Sequence, residues 1–198
     1  MLLSIGVDVG SRNGAIAIID EKLKIKLLTK APFYLIEVKS KVLTKLKLNK
    51  ETGKFEQAYK TRAWTDYKGI AELYKPYIKK SNKFIYTVEK VSVRPGEGET
   101  SAFIFGDSLG VHRGMNGLIN PVEYFEPTPQ EWKSELNLNS VKDLSIELAE
   151  DIFGCNLKDY ITKEDRENKR SKTDDLAEAL LLAFYGFKMY YNKKESGN

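Results

Sequence analysis

The sequence has almost none of the side chains that build the common metal centres: one cysteine, Cys155, and one histidine, His112, in 198 residues. A lone cysteine forms no internal disulfide and no cysteine-rich zinc site, and a lone histidine supplies no multi-histidine cage. Any metal held by this chain must therefore rest mostly on carboxylates. Long hydrophobic runs are missing too, since nothing approaches the roughly 20 apolar residues of a membrane span. The opening Met1-Leu-Leu-Ser-Ile-Gly-Val-Asp8 carries an acid where a signal peptide is apolar. These absences predict a soluble protein in a reducing, cytoplasmic setting with no membrane partner.

An apolar content of 41%, with 11% aromatic residues, is enough for a real core, and the length is ordinary for one domain. The net charge of +4 is unevenly spread. Between Glu21 and Arg62 stand twelve Lys or Arg against four Glu and no Asp, a surplus of eight, which leaves the remainder at −4. Such a segment suits solvent-facing strands whose lysines discourage edge-to-edge aggregation. It equally suits a surface that contacts phosphates beside an acidic site.

Local patterns predict an α/β chain. Leu2 to Val9 and Gly14 to Asp20 are Ile- and Val-rich runs joined by turn residues, and Leu23-Lys-Ile-Lys-Leu27 alternates like a strand with one wet face. Val38 to Leu48 and Phe55 to Ala63 flank a polar turn at 49–54 and read as a basic hairpin. A helix over 66–80, a strand over 83–91, a helix over 100–113 and a short strand over 122–125 follow. Further helices are expected over 129–136, over 140–153 with Ser140 as cap and Gly154 as stop, and over 173–191. The charged run 163–172 reads as a mobile loop.

Carboxylates interrupt three of these apolar elements. Asp8 ends the first strand, with small Gly6 and Ser4 on its own side of the pleat, and Glu89 ends the run Phe84 to Val88. Asp174, Asp175 and Glu178 open the last helix, where 175 and 178, or 174 and 178, share a face. Each acid has a plain structural explanation: Asp174 and Asp175 complement the helix dipole, Asp8 starts a turn, and Glu89 pairs with a lysine. Their conjunction is harder to explain so simply. Clustered carboxylates repel unless they share a proton or a divalent cation, and hard oxygen ligands select Mg²⁺ or Mn²⁺.

The segments Ile5-Gly-Val-Asp8-Val-Gly-Ser-Arg-Asn-Gly14, Val88-Glu89 with the following Phe105-Gly-Asp-Ser-Leu-Gly110-Val-His-Arg-Gly114, and Lys172-Thr-Asp-Asp-Leu-Ala-Glu178 resemble the RuvC-like Holliday junction resolvases of the RNase H-like superfamily, the phage and poxvirus branch above all. The resemblance implies one RNase H-like nuclease domain over 1–198. Its mixed five-stranded sheet, three antiparallel strands followed by two parallel ones, would be flanked by helices, with the basic hairpin at about 33–63 as an insertion. It implies Asp8 and Glu89 as metal ligands, with the acids of the family's Asp-x-x-Asp pattern falling on Asp175 and Glu178. Glu178 stands where Asp is usual, and the doubled Asp174-Asp175 leaves the register open. Pro129-Gln-Glu-Trp-Lys133 is similar to another family segment, and Lys133 is expected either near the scissile phosphate or as a solvated helix lysine.

The activity so implied is two-metal hydrolysis of branched DNA, one Mg²⁺ generating hydroxide and the other stabilising the leaving 3′-oxygen, with Mn²⁺ as substitute. Arg94, Lys169, Arg170 and Lys172, with the basic hairpin, would hold the phosphate backbone. Ala102, Gly106, Gly110 and Gly114 form a small-residue stripe that packs on the sheet or, as the resemblance implies, against a second subunit of a homodimer. His112 reads as a surface or satisfied histidine, and Phe103 and Phe105 as core, a wedge at a junction being the alternative. The setting implied is a bacterial cell or its phage-infected counterpart. A catalytically inactive branched-DNA-binding protein is one competing expectation. An actin-like or sugar-kinase ATPase, which shares the Gly-x-Asp start, is the other.

Overall fold

The computed structural model describes residues 1–39, 46–48, 51, 55–57, 59–92, 98–138 and 142–197. Strands β1 (Leu2–Asp8), β2 (Ala15–Asp20) and β3 (Ile25–Lys30) form an antiparallel meander at the start of the chain. Strands β4 (Phe33–Lys39) and β7 (Tyr59–Thr65) pair outside the main sheet, as do the short β5 (Leu46–Leu48) and β6 (Phe55–Gln57). Helix α1 (Tyr67–Tyr74) leads to β8 (Lys83–Val88), and the long α2 (Glu99–Ile119) to β9 (Glu123–Phe125). Helices α3 (Pro129–Glu135), α4 (Lys142–Phe153), α5 (Lys163–Glu167) and α6 (Asp174–Glu195) complete the order.

The main sheet runs β3-β2-β1-β8-β9, with β1, β8 and β9 mutually parallel. This is the mixed five-stranded sheet expected from the sequence. Because side chains alternate across a pleat, β1 serves two cores. Leu3, Ile5 and Val7 face a layer with Ile70 and Tyr74 of α1 and Leu109 of α2, while Ser4 and Gly6 face α6.

The contact between β1 and α6 is unusually close. A Cβ at Gly6 would run into the main chain of Ala179 and Ala183, and one at Gly186 would strike the side chains of Thr87 and Ser4. Ser4 Oγ donates to the Ala183 carbonyl at 2.7 Å. The space beside Asp8 that small residues leave open is thus filled by helix backbone.

Several expectations change. The charged run 163–172 opens with a short helix rather than a loop, α5 being closed by a capping box between Thr162 and Asp165, and Arg170 beyond it is buried. The helix after Glu89 runs on to Ile119, through Gly114 and Gly117, and stops where Asn120 adopts a left-handed conformation at φ 47°. The first helix ends at Tyr74, before Pro76. Phe103 and Phe105 are exposed rather than core. His112 is fully buried, its Nε2 without a hydrogen-bond partner. Gly154 follows α4 with φ 58°, as its role as a stop requires. Arg94, the Ser140 cap and most of the 49–54 turn lie outside the described residues.

Candidate metal centre and active-site cleft

The parallel register of β1 and β8 sets Val7 opposite Val88, so Asp8 and Glu89 emerge side by side at the carboxyl ends of adjacent strands. The Glu89 amide donates to the Val7 carbonyl at 3.0 Å, extending the ladder to the acid itself. Helix α6, pressed against β1, brings in a third carboxylate one turn from its start. One oxygen each from Asp8, Glu89 and Glu178 lies within 4.8 Å of the others.

Helix α3 supports two of the three. Its N-terminus is closed by a capping box between Thr128 and Glu131 with Pro129 in the first turn. Fully buried Trp132 donates its indole Nε1–H to Glu89 Oε1 at 2.9 Å. The next residue, Lys133, reaches Glu178 Oε1 at 2.7 Å, its Nζ also lying 5.0 Å from the Trp132 ring centre. Lys133 therefore points into the acidic cluster rather than into solvent.

Asp175 is arranged differently. Its buried carboxylate is paired with Lys30, the last residue of β3, whose side chain is only 1% exposed. Lys30 Nζ also donates to the Lys172 carbonyl at 2.6 Å. Among the described residues, no trio of acids containing Asp175 reaches the spacing of Asp8, Glu89 and Glu178.

The electrostatics follow from this crowding. Burial, and then the charges of Glu89, Glu178 and Asp175, push the Asp8 carboxyl well above its ordinary value, with Lys30 acting in the opposite sense. Burial also raises Asp175, partly offset by its hydrogen bond from Lys30. Three carboxylates this close are costly unless they share a proton or a cation neutralises them, and a donor set of hard oxygens fits Mg²⁺ or Mn²⁺.

The cluster opens into a cleft of about 380 Å³ with acids at its base, among them Asp174, and Arg12, Lys169, Lys172 and exposed Phe105 around it. Lys169 and Lys172 are exposed, and Lys169 adopts φ 57°. Arg12 spans to the carbonyl of Asn168 at 3.0 Å and ties the β1–β2 turn to this loop. Arg170 lines the cleft, but its head is committed to the protein: it donates to the Ala31 carbonyl at 2.7 Å, faces Asp165 at 3.5 Å and covers the Phe33 ring.

Sequence reasoning did not single out Lys30 or Arg12. In the sequence Lys30 is one of many lysines in the basic segment from Glu21 to Arg62, beyond the alternation at Leu23–Leu27. Its signal was positional, because it closes the strand next but one to Asp8, at the end of the sheet where acids gather.

Fold and site together define a class: an α/β protein of RNase H-like architecture with a carboxylate-lined cleft at the ends of its central parallel strands. Solved structures of the same fold include Thermus thermophilus RuvC in complex with Holliday junction substrate, at 12% identity and TM-score 0.53 over 98% of this chain and 96% of that one. Thermus thermophilus RuvC alone gives 13% identity and TM-score 0.51 over 97% and 96%. The sequence matches no protein-family model and no curated protein.

Proposed function

We propose that this protein is a divalent-metal-dependent, structure-selective endonuclease that cuts branched DNA such as four-way junctions. The observation that carries the reading is the convergence of Asp8, Glu89 and Glu178 from three separate elements, beside a cleft that Asp8 and Glu178 line together with basic residues. The likeness in fold to a RuvC solved with a Holliday junction supports the choice of substrate.

Asp8, Glu89 and Glu178 would hold the cation. Once bound, it supplies a water-derived hydroxide and charge stabilisation for the leaving 3′-oxygen, giving 5′-phosphate and 3′-hydroxyl ends. Trp132 hydrogen-bonds the Glu89 carboxylate and would hold its orientation, and Lys133, bonded to Glu178, would orient that acid and supply positive charge for a phosphate bound at the cluster. Lys169 and Lys172 would contact the DNA backbone, which positions the strand without reading sequence. Arg170 would serve by bracing the loop that carries them.

The α2 stripe supports a homodimer. A Cβ at Gly106, Gly110, Gly114 or Gly117 would meet nothing within 4 Å, so this face is not packed on the sheet. Glycine within a helix costs about 1 kcal/mol relative to alanine. A twofold contact there gives close helix approach a purpose and supplies two sites for the two strands of a junction.

The test is cleavage of a synthetic four-way junction with Mg²⁺. Paired nicks by wild type, lost in Asp8→Asn while junction binding persists, are expected. Binding without cleavage by wild type would identify an inactive binding protein instead.

A further inference from the structure

Lys30 is the one lysine among the described residues that the structure buries at the acidic cluster, and its surroundings limit what it can do. Its side chain is 1% exposed, it ends a strand of the main sheet, and its ammonium donates to the Asp175 carboxylate and to the Lys172 carbonyl. An ammonium taken out of water is tolerated only when paired and hydrogen-bonded, and here both conditions are met. Asp175 is correspondingly engaged. Its carboxylate is 9% exposed and is held away from the three mutually close acids.

A two-ion site on this framework needs carboxylates for a second cation, and Asp175 is the acid best placed to add one. For a metal to take that carboxylate, Lys30 would have to leave. It would also abandon the Lys172 carbonyl.

We infer that Lys30 is a built-in counter-cation: its ammonium takes the place of a second metal ion at Asp175, so that the free protein holds one divalent cation, on Asp8, Glu89 and Glu178. This rests on reading the cleft as a divalent-metal site. It alters the two-ion expectation by assigning half of the positive charge to the chain itself. It also gives the basic β3 strand a role in the site that is separate from contacting DNA. Lys30 is on this account a positioning and charge-balancing residue, and it touches neither the ion nor the scissile phosphate.

Counting ions tests it without relying on activity. Metal-free full-length protein is titrated with Mn²⁺, and free Mn²⁺ is followed by its electron paramagnetic resonance signal. Wild type is expected to bind one ion per chain, and Lys30→Met to bind a second at the released Asp175. Asp175→Asn covers the case in which Lys30→Met fails to fold, and it is expected to keep a count of one. Two ions on wild type, a single ion on folded Lys30→Met, or loss of the ion in Asp175→Asn would each overturn the inference. Junction cleavage measured on the same wild-type preparation separates the two readings. Cleavage with two bound ions removes only the role of Lys30, whereas one bound ion without cleavage removes only the nuclease.

Discussion

Trp132 shows how a single side chain links core to chemistry. Its ring is fully buried, and its only side-chain polar atom is spent on a carboxylate of the acidic cluster. His112 is the opposite case, a titratable group enclosed without a task. It sits on the buried face of α2 with its Nδ1 3.5 Å from Tyr86 Oη, and burial lowers its pKa from the ordinary 6.5 to about 4. The folded state therefore requires the neutral ring, while the unfolded chain takes up a proton at the ordinary value. The stability this represents is fully present above about pH 6.5 and is lost as pH falls toward 4; the shift corresponds to roughly 3 kcal/mol. Urea unfolding at neutral pH and near pH 4 should show a loss of that order, and His112→Gln should abolish most of the pH dependence. A slope unchanged in the variant would place the acid sensitivity in the carboxylates.

At the scale of elements, two sets of glycines with the same residue type have opposite surroundings. Gly6 is jammed against the main chain of α6, and Gly110 faces open space. Gly6→Ala is expected to cost more than about 2 kcal/mol, because backbone on both sides leaves nothing to yield. Gly110→Ala is expected to stabilise the isolated chain by up to about 1 kcal/mol through helix propensity. Thermal denaturation of the two variants checks the pair, and a neutral Gly6→Ala would refute the close seam. The elements themselves were largely legible in the sequence, from the Ile- and Val-rich runs of β1 and β2, the alternation at Leu23–Leu27 and the apolar run of α6. What escaped were outcomes decided by tertiary contact. The charged segment 163–172 lacks hydrophobic periodicity, and its short helix rests on a capping box while Arg170 reaches Ala31 across the fold. The 100–113 helix continues past Gly114 because nothing in a helix interior forbids glycine where no side chain is needed.

Over the whole molecule, the acids on the ends of β1 and β8 were legible because each interrupts an apolar run. The pairing of Lys30 with Asp175 was not, because it joins positions 145 residues apart whose meeting depends on how α6 crosses the sheet. The same crossing makes Glu178, rather than Asp175, the acid that approaches Asp8 and Glu89. Charge is divided spatially, with acids at the base of the cleft and Lys169 and Lys172 exposed at its edge. Affinity for junction DNA should therefore fall with salt, and each of Lys169→Ala and Lys172→Ala should reduce the slope of log affinity against log salt by about 1 if it neutralises one phosphate. Fluorescence anisotropy across a salt series, without divalent metal, measures this. An unaltered slope in the double variant would move the DNA path off this rim.

The seam between β1 and α6 has one more consequence. Where side chains separate two elements, their spacing drifts with every change of residue size; where main chain meets main chain, it does not. Asp8 and Glu178 are mounted on the two sides of such a joint, so the gap between their backbones is gauged at Gly6 by peptide units. The aliphatic cores on either face of the sheet can be exchanged, methyl for methyl, without detuning the distance a metal ion would measure.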